Sequence, residues 1–330
     1  LAQRNVFASL LSGVIGVALA YLGWGVWALV MQTLINSAIS LVFIWIYCKW
    51  FPRQRFSKES FGYLWGYGSK LMASGLLNTV YTNLTTLVIG RNFSSRDLGI
   101  YSRGTQLASY PATMINDVLG KVTFPILTKI QNDDERLIYV YRKYICITSM
   151  FIFFGCILVA AIAKPLVLLL LTAKWAESII YLQIFCFAIM FDHICRINLN
   201  LLEVKGRSDL FFRLEVIKKV ISITILFASI PFGVIGICIS KVIYTQIAVF
   251  INTYYTGKLF NLGYVVQIKD FSGFFIKSIS ACLPAYLITY FELPAVMSIS
   301  IGLVLSIFIY WLMLRKNTYM QEVLSIIRKR

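Results

Sequence analysis

Residues 67–111 read YGSKLMASGLLNTVYTNLTTLVIGRNFSSRDLGIYSRGTQLASYP, and the fold follows from how polarity is distributed along them. Between Lys70 and Arg91 no side chain is charged, which suits a helical membrane crossing of about 20 residues. Yet Ser74, Asn78, Tyr81, Thr82 and Thr85 recur at helical spacing and share one face. A short turn holding Arg91, Arg96 and Asp97 follows. The next span repeats the device with charge added: Arg103, Gln106, Tyr110, Thr113, Asp117 and Lys121 step along one face. Charged groups turned toward lipid cost several kcal/mol, so this face is expected to point toward water or a polar ligand, and its neighbour toward other helices or a wet cavity. Two such helices side by side in an apolar chain read as a transporter.

The flanking sequence supports a membrane setting. Hydrophobic residues make up 59% of the chain, against about 45–50% in soluble domains, and the mean hydropathy is +0.77. Ten spans are expected, over 6–23, 25–48, 67–90, 100–127, 144–163, 179–202, 217–232, 233–255, 273–291 and 294–314. Gly23, Gly233 and Pro294 mark tight turns between paired helices. The prediction is an all-α integral membrane protein of about ten transmembrane helices with no large extramembrane domain.

The net charge of +17 raises nucleic acid as a partner, but its placement argues otherwise. Basic residues crowd into alternate connections, within 49–70, 129–143, 205–219, 258–277 and 315–330, with Lys218 and Lys219 counted among them. The opposite connections hold only Arg91, Arg96, Lys164 and Lys174, with Arg103 close by. The positive-inside rule assigns the first side, and both ends of this chain, to the cytoplasm. Basic excess is then topological, and no nucleic acid is required.

Metal and nucleophile chemistry have little to work with. The seven cysteines form no CxxC pair and His193 is the single histidine, so neither a metal site nor a disulfide framework nor a cofactor is expected. No GxxxxGK[ST] phosphate loop occurs. The chain is read as a non-enzyme.

Two segments are more than loops. Residues 164–178 (KPLVLLLLTAKWAES) are too short and too apolar for a spanning or a solvated segment, and suit an interfacial helix anchored by Trp175. The tail 317–330 is expected to form an amphipathic helix held on anionic lipid. Asp192, His193 and Arg196 are placed toward the cytoplasmic end of their span. Asp192 and Arg196 stand at i, i+4, as a structural clamp or a gate. Lys241 lies about 12 Å into its span with no acid on its own helix, and so is expected to face a cavity or a partner helix.

The stretch LVIGRNFSSRDLGIYSRGTQLASYP (87–111) resembles the signature region of the Wzx-type polysaccharide flippases, the WzxC-like branch of the MOP exporter superfamily. GWGVWALVMQTL (23–34), FPILTKIQNDDERLIYVYRK (124–143), PLVLLLLTAKW (165–175) and NLLEVKGRSDL (200–210) agree in order. The resemblance implies a MATE/MOP-like bundle, two six-helix lobes plus two helices. By motif, 6–23 is similar to the fifth helix of the family, and the first four are expected to be absent from this chain, which opens on Leu1 rather than Met. The implied parts are 1–48, the last two helices of the N-terminal lobe; 49–66, a basic linker; 67–256, the C-terminal lobe; 257–314, two further transmembrane helices; and 315–330, a basic tail.

The resemblance further implies flipping of undecaprenyl-pyrophosphate-linked oligosaccharide across the bacterial inner membrane by alternating access. Membrane lipids would surround it, with polysaccharide polymerase and chain-length proteins as partners. Arg103, Lys121 and Lys241 are the candidates for the anionic head group, and Asn78, Tyr81, Gln106 and Tyr110 for sugars. Asp117, Asp192 and Arg196 are candidates for coupling or gating. Plainer readings stand beside these: Arg103 snorkelling to the interface, and Lys121 paired with Asp117 one turn away. Many relatives carry Asp where this chain has Thr85. A MATE-type small-molecule or cation antiporter, or a membrane scaffold that does not transport, are the alternative functions.

Overall fold

The computed structural model of the chain describes the backbone of residues 2–48, 57–291 and 293–328. Of these, side chains at 2–7, 46–48, 59, 60, 63, 64, 66–75, 77, 78, 114–126, 208 and 326–328 lie outside the description. The regular structure among the described residues is helical throughout. The helices are α1 (Ala2–Tyr21), α2 (Val26–Cys48), α3 (Lys58–Asn92), α4 (Ser95–Lys129), α5 (Asp134–Ala161), α6 (Ala163–Leu171) and α7 (Ser178–Ile189). They continue as α8 (Asp192–Val204), α9 (Ser208–Ser229), α10 (Gly233–Phe260), α11 (Tyr264–Ile288), α12 (Ala295–Leu314) and α13 (Thr318–Arg328).

Six segments among the described residues are long and apolar enough to cross a membrane. One of them, Asp209–Phe260, is 52 residues long and contains α9 and α10, folded back at Gly233, whose φ of 75° suits a residue without a side chain. Helices α3 and α4 have 35 residues each, about 50 Å at 1.5 Å per residue, and so outrun the bilayer core. The short run after Pro165 is helical, as α6, and the amphipathic tail is α13. The expected span 179–202 is instead two helices, α7 and α8, interrupted at Met190–Phe191. Asp192 thereby opens α8, near the middle of the segment Ser178–Val204.

The chain forms two compact units, Leu1–Leu77 and Asn78–Arg330. In the first, α1 and α2 pack as a hairpin. Their turn uses Gly23 and Gly25, at φ of 82° and 52°. In the second, α5 is the buried hub: it packs against α4, α7, α8 and α11, and α11 in turn holds α12. Phe153, Phe191, Phe271 and Phe275 meet edge to face at its centre, beside the break between α7 and α8.

Lipid offers helices no hydrophobic reason to associate, so polar contacts between them carry much of the specificity. Here one oxygen gathers four helices. The Asn198 Oδ1 of α8 accepts from Tyr141 Oη of α5 at 2.8 Å, Thr256 Oγ1 of α10 at 2.8 Å and Gln267 Nε2 of α11 at 3.0 Å. Its amide nitrogen donates to the Ile194 carbonyl and to Gln267 Oε1. All four side chains are fully buried, and Gln267 also donates to the Leu262 carbonyl at 2.8 Å.

The connections expected on the basic side share one end of this unit. Arg142 of α5 grips Asp270 of α11 with both guanidinium branches, at 2.9 and 2.5 Å. Lys143 pairs with Glu322 of α13, and Lys205 with Asp134. Burial, together with a contact to Cys146, pushes the Tyr319 phenol of α13 up to about 12.

Asn198→Ala should destabilise the protein by about 3 kcal/mol, because it strands the buried Tyr141 hydroxyl and Gln267 Oε1 and takes one acceptor each from Thr256 and Gln267, while Tyr141→Phe should cost about 1 kcal/mol. Thermal unfolding in detergent measures both, and equal losses would show that the shared oxygen is not the centre of the network.

Candidate functional site

The site begins at the turn before α4. Ser94 caps the helix by accepting from the Asp97 backbone N–H at 3.1 Å, and Asp97 reaches back to the Ser94 backbone N–H at 3.2 Å. Hydrogen bonds from Ser94 hold the Asp97 carboxyl below its ordinary value. Arg96 pairs with Glu177 at 2.7 Å, on the connection before α7. Gly104 then lets α4 press on α7: a Cβ there would stand 2.8 Å from the Ser178 carbonyl and 3.0 Å from the Leu182 nitrogen.

This contact gives α4 a covered face and a bare one, and the described predicted residues all lie on the bare one. Tyr101 turns inward and is 7% exposed. Arg103, Gln106, Tyr110 and Thr113 are exposed along the other side. The Arg103 guanidinium rests over the Trp175 ring, 5.6 Å from its centroid, and donates to Gln106 Oε1 at 3.2 Å. Trp175 sits in a 3-10 turn (Ala173–Trp175) between α6 and α7.

Behind Tyr101 lies a cavity of about 130 Å³. Thr82, Thr85 and Thr86 of α3 line it, with Tyr101, Phe185 of α7, Ser222, Ile225 and Leu226 of α9, and Ile237, Ser240, Lys241 and Tyr244 of α10. Lys241 faces a cavity, as its isolation on its own helix foretold. Its ammonium stands 4.9 Å from the Tyr244 ring centroid. Tyr244 in turn interacts with Tyr81, and Lys219 of α9 lies 5.2 Å over the Tyr81 ring.

Asp192, at the start of α8, is faced by Lys241, Arg196 and Lys218. The expected i, i+4 clamp does not form, since Asp192 and Arg196 make no ion pair and both are exposed. Lys218 and Lys219, assigned from the sequence to a loop, belong to α9. Lys218 is 6% exposed and pairs with Glu215 at 2.5 Å. The helical spacing of Glu215, Lys219 and Ser222 was a signal for Lys219 but not for the inward turn of Lys218. The structure thus joins Lys241 to Tyr81 and Asp192, and Arg103 to Gln106, but keeps Arg103 and Lys241 apart. The Asn78, Asp117 and Lys121 side chains lie outside the described residues.

Together these features define a polytopic, all-helical membrane protein with a lysine-bearing polar cavity between its helices and a polar stripe bare on its surface. Residues 1–180 match the family described as "Polysaccharide biosynthesis protein", and the chain belongs to that family. It is 29% identical over 289 residues to the lipopolysaccharide biosynthesis protein WzxC of Escherichia coli (strain K12), covering 84% of this chain and 56% of that protein. It is 27% identical over 177 residues to the succinoglycan biosynthesis transport protein ExoT of Rhizobium meliloti (strain 1021), covering 53% of this chain and 35% of that one. The chain therefore spans about half the length of the curated relatives it matches, or less. Its fold is like that of the lipid II flippase MurJ in an inward closed conformation, with a TM-score of 0.66 and 16% identity, over 94% of this chain and 67% of that one. The Wzx-type resemblance stated from the sequence is thereby upheld.

Gly104→Val should cost about 1–3 kcal/mol as overpacking between α4 and α7. Thermal unfolding in detergent reads the loss, and an unchanged midpoint would show that these two helices are not held at this distance.

Proposed function

We propose that the protein serves the translocation of undecaprenyl-pyrophosphate-linked oligosaccharide across the bacterial inner membrane, by alternating access and without covalent chemistry. One observation carries the reading. Arg103, Gln106, Tyr110 and Thr113 form an uncovered polar row on α4, within the expected span 100–127, and such a row is costly against lipid. Its chemistry matches a cargo with a pyrophosphate and sugars: a guanidinium offers forked donors to phosphate, and an amide and a phenol suit hydroxyl-rich rings.

In this reading Arg103, Lys121 and Lys241 meet the head group, while Asn78, Tyr81, Gln106 and Tyr110 meet the sugars. Asp117, Asp192 and Arg196 take part in coupling or gating, a role the mid-segment position of Asp192 supports. The basic end of the bundle faces the cytoplasm, as do both ends of the chain. The parts 1–48, 49–66, 67–256, 257–314 and 315–330 correspond to the remainder of an N-terminal lobe, a linker, a C-terminal lobe, a final helix pair and a tail. Polymerase and chain-length proteins are the partners that would receive and lengthen the exported units.

A cation antiporter of the same superfamily is disfavoured by the cavity itself, whose one charged lining residue among those described is a lysine. Expression of the intact protein, both lobes included, in a bacterial strain lacking its own flippase should restore surface polysaccharide. Arg103→Ala should lower that export by about tenfold, the loss of one charge-assisted contact of about 1.4 kcal/mol, at unchanged protein level. Full export by the Arg103→Ala protein would refute the assignment of the α4 row to the cargo.

A further inference from the structure

Among the described residues that line the cavity between α3, α4, α7, α9 and α10, Lys241 is the only one with a charged side chain. None of the described carboxylates forms an ion pair with it. The one whose charge it meets, Asp192, is shared with Arg196 and Lys218, while Lys218 is already engaged by Glu215. Lys219 adds a further cation at the Tyr81 ring. Among the described residues the neighbourhood is net positive, and the half-buried Lys241 ammonium calls for a counter-charge.

The rest of the wall supplies donors. Thr82 and Ser240 turn their hydroxyls to carbonyls of their own helices. Thr85, Thr86 and Ser222 make no hydrogen bond with the described residues, so their O–H groups are free to point at a guest. Among the described residues the lining contains no carboxylate to repel a negative one. Size narrows the choice. A volume of about 130 Å³ suits a halide with residual water and lies below the ~300–1,000 Å³ of pockets that bury larger organic ligands.

We propose that this cavity binds a small inorganic anion, chloride in the cell, with the Lys241 ammonium as counter-charge and the Thr85, Thr86 and Ser222 hydroxyls as donors. Binding needs no cargo, so it stands apart from the flippase reading. The two meet at Lys241, where a head-group oxygen and the halide exclude one another.

The test uses the purified protein in detergent, in sodium chloride or sodium gluconate at equal ionic strength, so that screening is matched. Chloride should raise the unfolding midpoint over gluconate, and the protein should broaden the chloride-35 NMR line, with bromide competing. Both effects should vanish in Lys241→Met, weaken in Thr85→Val and persist in Arg103→Ala. Should Lys241→Met fail to fold, Thr85→Val and Ser222→Ala carry the same comparison. Equal midpoints and an unbroadened line in the folded protein, or broadening that survives Lys241→Met, would overturn the proposal. Protection by inorganic pyrophosphate without any by chloride would overturn it in favour of the head group alone. Polysaccharide export, measured separately, distinguishes failure here from failure of the flippase reading.

Discussion

Four helices of the larger unit meet at a single amide oxygen, and the rest of that unit depends on the meeting. Asn198 sits where α5, α8, α10 and α11 come together, each contributing a donor or an acceptor from a fully buried side chain. Apolar surface alone does not choose which helices pair, because lipid satisfies it equally well. A buried donor without its acceptor is penalised wherever it is placed. The amide of Asn198, with the Gln267 side chain beside it, therefore sets the register of the bundle. The aromatic cluster around Phe153 fills the space that this register leaves.

With the bundle fixed, the interruption between α7 and α8 gains meaning. The break at Met190–Phe191 presents Asp192 at the first turn of α8, where the helix dipole favours a carboxylate. Lys241, Arg196 and Lys218 gather toward it from α10, α8 and α9. The polar cavity opens between the same α9 and α10 and the upper part of α3. Irregular backbone at membrane depth is tolerated where protein or water covers it, so break, charge cluster and cavity belong to one region. The bare row on α4 lies on the opposite flank, anchored by Arg103 over Trp175.

Much of this was legible in the residues. The turns at Gly23 and Gly233, the short helix after Pro165, the amphipathic tail and the facing of Lys241 into a cavity all follow from spacing, glycine conformation and charge placement. Three features were not. The split of 179–202 into two helices carries no glycine or proline to announce it: the sequence across the break is FAIMFDHI, and tertiary packing around Phe191 determines where the helix stops. The inward turn of Lys218 depends on Glu215 three residues earlier, and a basic pair beside a span boundary is more simply counted as loop. The separation of Arg103 from Lys241 turns on Gly104, whose missing side chain brings α4 onto α7. No periodicity in α4 alone reveals which flank its neighbour will take.

The last helix has a consequence of its own. Tyr319, Met320 and Val323 of α13 lie against the hydrophobic core of the larger unit, Tyr319 beside Phe274, while Lys143 of α5 fastens Glu322. The tail is thus a lid over the seam between α5 and α11 as much as a basic appendage. A protein cut before Thr318 would bare a greasy notch at the membrane margin and leave Lys143 without its acid, inviting self-association there while every crossing helix remained intact.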